Sequence, residues 1–183
     1  MRPNSLRELY VEQLQDLYDA EHQIIKALPK MIQAAQSDGL KEALNEHLNV
    51  TKEQANRIEQ IFRGMGEKPK AEKCKGMQGV IKEGDDLIGE IKNEDVRDAA
   101  IIASAQRVEH YEIAGYGTAR TYADLLDESE ASDLLQQTLD EEKEADEKLT
   151  SLAGEINAEA EEAGTGEAEQ ETRTRRSRSR RAA

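Results

Sequence analysis

The chain has 183 residues and carries 39 Asp and Glu against 25 Lys and Arg, a formal net charge of -14 at pH 7. That length suits one domain plus a tail, with enough residues for a hydrophobic core, and the acidic balance disfavours a body that binds nucleic acid. Aromatics are 3% of the residues, a lone cysteine excludes an internal disulfide or a thiolate zinc site, and no apolar run approaches the ~18 residues of a membrane span.

The first helix is expected from Ser5 to about Ser37. Ser5 and Glu8 stand three residues apart as in a capping box, and Leu14, Leu17, Ile24, Ile25, Leu28, Met31 and Ile32 form one apolar stripe. Glu21 falls inside that stripe. Pro29 predicts a kink, and Asp38-Gly39 is the expected terminus, with glycine supplying a positive φ. The second helix follows at once and should end at Gly64 to Gly66, so the first two helices are expected to be antiparallel neighbours. On its apolar face His47 and Thr51 interrupt Leu40, Ala43, Leu44, Leu48, Ala55, Ile58, Ile61 and Phe62.

Between Lys70 and Asn93 the apolar residues Met77, Val80, Ile81, Leu87, Ile88 and Ile91 are broken by Gly76, Gly79, Gly84 and Gly89. A shorter helix is predicted there, in the crossover between long helices two and three that a ferritin-like bundle has. The third long helix should span about Asp95 to Leu126, with Glu109 and Glu112 on a buried side otherwise made of Ile101, Ile102, Ala105, Val108, Ile113 and Tyr116. The fourth should run from Ser129 to Asn157, where Glu142 and Asp146 stand among Leu135, Leu139, Leu149 and Leu152.

Beyond Ile156 the composition changes. Residues 157–172 are mostly Ala, Glu, Gly, Thr and Gln without periodicity, and residues 173–183 read RTRRSRSRRAA. Neither block offers apolar surface to offset the entropy of ordering, so the expected division is a helical bundle over 1–156 and a disordered tail over 157–183. Its six arginines either fold back on the acidic body or neutralise nucleic-acid phosphates, and the acidity of the body favours the first. Without an apolar leader after Met1 a cytoplasmic location is expected, which the single cysteine fits.

Burying an isolated carboxylate costs several kcal/mol, roughly, and few lysines or arginines share these stripes. Cations are the economical answer. Carboxylate oxygens with one imidazole suit iron or manganese, and four carboxylates around two such ions nearly cancel the charge. The candidate ligands are Glu21, His47, Glu109, Glu112 and Glu142, with Asp146 as a helper one turn further on. Each has a plainer reading. A protonated Glu21 could bond to the hydroxyl of Tyr18 or Tyr116, His47 could bond to a neighbouring side chain, and Glu142 lies in the acid run 140–144 typical of a solvated face. His22 and His110 fall beside the seam, and Cys74 stands in a lysine-flanked loop without an evident partner.

The strings LYDAEHQIIKALPKM, DAAIIASAQRVEHYEIAGYGTAR and LLQQTLDEEKEADEKLTSLA resemble those of the YciF-type and related YciE-type bacterial stress proteins, over roughly Leu6 to Ala153. The resemblance implies an all-α, ferritin-like and rubrerythrin-related four-helix bundle with an added helix, a homodimer, and a di-iron or di-manganese centre formed by the residues above. Oxygen or peroxide chemistry in stress defence is what such a centre supports. The chain departs from the pattern at Val50, where the family places a glutamate three residues after His47. It departs again at Ala145, where ferritin-like proteins have a histidine three residues after the glutamate. Those departures keep a second class open, a non-enzymatic helical stress or interaction protein with a degenerate metal site.

Overall fold

The computed structural model describes residues 3–181, with side chains described as far as residue 164. Five helices follow in order, α1 (Leu6–Ala34), α2 (Asp38–Gly64), α3 (Lys75–Glu90), α4 (Glu94–Leu125) and α5 (Ser129–Arg181). No strand occurs among the described residues. α1 starts where the capping pattern places it, with Ser5 Oγ accepting the Glu8 amide at 3.1 Å. The Glu8 carboxylate reaches back one residue further than a standard capping box, to the amide of Asn4 at 2.6 Å.

α1 ends earlier than expected, and Asp38-Gly39 opens α2 instead of closing α1. The turn is held from α4. Asp98 accepts the amides of Gln36 at 2.8 Å and Ser37 at 2.6 Å, and Arg97 Nε donates to the carbonyl of Ala34 at 2.9 Å. Ser37 Oγ then caps α2 by accepting from Leu40. Helix ends leave backbone groups without partners, and here a distant helix supplies them, a long-range event that local sequence does not encode. At the far end of α2 the positive φ falls on Gly66, at 74°, as the glycine pair predicts.

Side-chain pairs fix the helix directions. Tyr18 on α1 bonds to Glu59 on α2, Arg57 on α2 to Thr138 and Glu141 on α5, and Gln106 on α4 to Asp146 and Thr150 on α5. Asp98 meets the end of α1, while Gly115 packs so close to Leu17 that a Cβ there would lie 2.8 Å from Leu17 Cδ2. α1 is therefore antiparallel to α2 and α4, and α5 is antiparallel to both of those. It follows that α2 and α4 run the same way, so the chain between them must cross the length of the molecule. α3 lies in that crossing, packed on α1 and α4.

Two apolar clusters fill the interior. One contains Ile24, Leu28, Leu40, Leu44, Ile101, Val108 and Leu149, and the other contains Leu14, Leu17, Ile58, Phe62, Tyr116, Leu135 and Leu139. On each long helix the polar positions of the seam lie between residues of the first cluster and residues of the second. Cys74 is not a reactive loop thiol. It caps α3, is fully buried, and contacts Asp16 and Tyr111 at 3.1 Å each, with burial pushing its thiol pKa up.

The backbone of α5 stays helical through the segment 157–181, where the composition suggests a disordered tail. Ala, Glu, Gln and Arg are strong helix formers, and a helix already nucleated extends without a second nucleation cost. Packing stops sooner, since Ile156 is buried and no side chain from 157 to 164 is. The side chains of the arginine run, and with them the expected nucleic-acid contact, lie outside the described residues.

Asp98→Ala should destabilise the protein by about 2–4 kcal/mol in urea unfolding, because two part-buried amides lose a charged acceptor. A loss under about 0.5 kcal/mol would mean that the turn finds other partners.

Candidate metal centre

α1, α2, α4 and α5 each send an ionisable side chain into the space between the two apolar clusters. His47 of α2, Glu109 and Glu112 of α4, and Glu142 of α5 are all buried and present one ligand atom each within 4.8 Å of one another. Glu21 of α1 is fully buried beside them and is bonded by the hydroxyl of Tyr116. The alternative partner named from sequence, Tyr18, turns instead to Glu59 at 2.7 Å.

These groups lack partners to an unusual degree. Glu21 Oε2, His47 Nε2, Glu109 Oε2, both carboxylate oxygens of Glu112 and Glu142 Oε2 are buried without a hydrogen bond. Buried polar atoms are normally satisfied, so six orphans facing one another define a place built for something else. His47 Nε2 stands 3.4 Å from Glu109 Oε1, too long for a good hydrogen bond. Burial lowers the His47 pKa, so the imidazole is neutral and the contact is no ion pair.

The carboxyls respond to the same burial in the opposite direction. Glu21 is raised well above the usual range by desolvation and then by the charge of Glu142. Glu109 is raised by desolvation and then by its contact with Glu142, and Glu112 by desolvation and then by the charges of Glu21 and Glu142. Among the described residues no lysine is bonded to the group, and the guanidinium of Arg57, whose charge acts on Glu21 as a minor opposing influence, is paired with Glu141 at 2.5 and 2.7 Å. Divalent cations fit the donor set in number, type and charge, because four ionised carboxylates and the unprotonated nitrogen of a neutral imidazole all offer lone pairs.

Asp146 stands apart from this group. Its carboxylate takes Gln106 Nε2 at 3.0 Å and lies 3.3 Å from Nε2 of the exposed His110. His22 is also outside, its Nδ1 against the carbonyl of Tyr18 at 2.7 Å. Gln54 was not singled out from the sequence, yet it is fully buried and donates to Glu142 Oε1, so it orients that carboxylate. Its signal was present: two turns after His47 it is a polar residue followed by Ala55 and Ile58 on an apolar face. Thr51, which does share the seam, spends its hydroxyl on the carbonyl of His47 at 2.8 Å.

An antiparallel pair of helix hairpins joined by a crossover, with an acid-rich interior fed by all four long helices, defines a class of helical proteins that bury ligand groups along a seam. Residues 5–161 match the family described as a domain of unknown function, DUF892, and the chain belongs to that family. It is 42% identical over 163 residues to protein YciF of Escherichia coli K12, covering 88% of this chain and 98% of that protein. The crystal structure of the E. coli stress protein YciF superposes with a TM-score of 0.82 at 41% identity, over 85% of this chain and 99% of that one. A Rhodopseudomonas palustris protein called YcfI gives 0.79 at 44% identity, over 80% and 94% of the two chains.

The raised carboxyls have a pH consequence. A group whose pKa is higher in the folded than in the unfolded state contributes stability below its unfolded pKa and loses it as pH climbs through the folded value. As pH rises above the carboxyl range of the unfolded chain, the metal-stripped protein should therefore lose stability. The double variant Glu109→Gln, Glu112→Gln should flatten that slope with helical content intact. Urea unfolding as pH rises checks this, and equal slopes for the two proteins would mean that these carboxyls titrate normally.

Proposed function

We propose that the protein is a ferritin-like, cytoplasmic stress-response protein that holds two iron or manganese ions in the seam and uses them on oxygen or peroxide. The observation that carries this reading is the set of six unpaired buried ligand atoms on Glu21, His47, Glu109, Glu112 and Glu142. Glu21 and Glu142 would each hold one ion, Glu109 and Glu112 would bridge or cap, and His47 Nε2 would complete one coordination sphere. Such ions, when bound, would supply redox chemistry toward a small oxygen species. The chain's own part is to orient the ligands. Tyr116 fixes Glu21, Gln54 fixes Glu142, and Thr51 ties its own turn of α2 beneath His47.

The up-down-down-up order of α1, α2, α4 and α5 supports the ferritin-like assignment, since that order needs a crossover and an up-down-up-down bundle does not. A stress role is supported by the similarity to YciF, whose structure is described as that of a stress protein. A homodimer is expected from the family resemblance. The second reading, a helical stress or interaction protein with a degenerate site, draws support from Val50 and Ala145, two apolar side chains beside the centre.

Metal analysis separates the two. Full-length protein purified without chelator should carry about two equivalents of iron or manganese per chain, and its iron-loaded form should consume added peroxide. Protein that carries no metal and takes up none on incubation with iron(II) or manganese(II) would support the second reading instead.

A further inference from the structure

The ligand group is not sealed on every side. Between α2 and α5 lies a cavity of about 160 Å³ lined by Leu44, His47, Val50, Glu109, Ala145 and Leu149, with Glu46, Glu144 and Lys148 around it. One water needs about 10–15 Å³ by the same measure, so the space admits several. Its inner wall carries His47 and Glu109, both more than nine-tenths buried, and their orphan atoms lie behind that wall, out of reach of solvent. At its outer end Glu46, Glu144 and Lys148 are exposed. The cavity therefore brings solvent up to two members of the ligand group, with only their own side chains left to move aside. Toward α3 the same two residues meet a second void of only about 20 Å³ among Ile24, Leu28, Ile81 and Val108, room for a single water in apolar surroundings.

We propose that the cavity between α2 and α5 is the passage by which a hydrated divalent cation reaches the ligand group, with Val50 and Ala145 keeping it open. This rests on the metal-centre reading above. Both residues line the passage with short apolar side chains, so the gap between the helices at this level stays unfilled. Fully extended side chains there would reach across it. The far end offers what a cation that is shedding water requires, a neutral imidazole nitrogen and carboxylate oxygens without other partners. The outer end is acidic on balance: Glu46 and Glu144 stand against Lys148, and Glu141 is already neutralised by Arg57. Lys148 bonds to Glu46 across the opening, from α5 to α2, and so forms a removable bar with a charge that repels an approaching cation.

The test uses the full chain stripped of metal and mixed with cobalt(II), whose ligand-field absorption reports entry in a stopped-flow experiment. Ala145→Leu, which fills the passage, should slow uptake by about ten-fold or more with the final cobalt stoichiometry and helical content unchanged. Lys148→Ala, at an exposed position, should quicken uptake by about three-fold and lessen its response to added salt, with helical content unchanged. Wild-type protein that loads, with both variants loading at the wild-type rate, overturns the passage and leaves the metal centre standing. Wild-type protein that takes up no cobalt at equilibrium overturns the passage and the metal centre together.

Discussion

Four carboxylates and an imidazole share one interior in which, among the described residues, no lysine or arginine is bonded to them, and the rest of the structure is arranged around that constraint. Charges at such depth repel one another at close to full strength unless protons or metal ions intervene. Burial raises Glu21, Glu109 and Glu112 so that protons can serve in the stripped protein, while six ligand atoms stay unpaired. A purely structural core would replace these residues with leucine at a gain in stability. Their presence on all four long helices gives the helix order a purpose, since each helix must bring its own ligand to the same level.

Precision at that level comes from outside the group. Asp98 and Arg97 lock the α1–α2 turn to the start of α4, which sets the heights of Glu21 and His47 against Glu109 and Glu112. Gly115 lets α4 approach Leu17 on α1 and brings Tyr116 within reach of Glu21. On the other side Arg57, paired with Glu141, ties α2 to α5, and Gln54 bonds Glu142 directly. Mutations at Arg97, Asp98, Gly115 or Arg57 would act on the group through geometry, without touching one of its members.

Much of this was legible in the sequence because its signals are periodic. The apolar stripes located five helices and, apart from the end of α5, their bounds to within a few residues, and of the acids that broke those stripes Glu21, Glu109, Glu112 and Glu142 meet in the interior. What stayed hidden depends on contacts between distant helices. The end of α1 was misplaced because Asp98, more than sixty residues on, captures the turn. Cys74 looked solitary because Asp16 and Tyr111 come from other helices. Gln54 escaped notice because an amide beside a carboxylate leaves no charge pattern, and Asp146 looked like a ligand because spacing alone does not reveal that Gln106 already holds it. Over 157–181 low complexity predicts disorder, and the backbone there is helical without a buried side chain as far as residue 164.

Val50 and Ala145 connect sequence and chemistry in another way. Read as residues, they are departures from a ligand pattern. Seen in the fold, they line one cavity together with His47 and Glu109. On the proposed reading a missing ligand and an opening are two sides of one feature, because a side chain long enough to ligate would also fill the gap.

The central claim is that the seam exists to hold metal, and the most direct measurement is anomalous diffraction from crystals grown with manganese(II). The account predicts two peaks inside the seam, about 3.5–4 Å apart, within ligand distance of Glu109 and Glu112, one toward Glu21 and the other toward His47 and Glu142. Full-strength manganese peaks confined to surface carboxylates, with the seam empty and its carboxyls paired through protons, would contradict it.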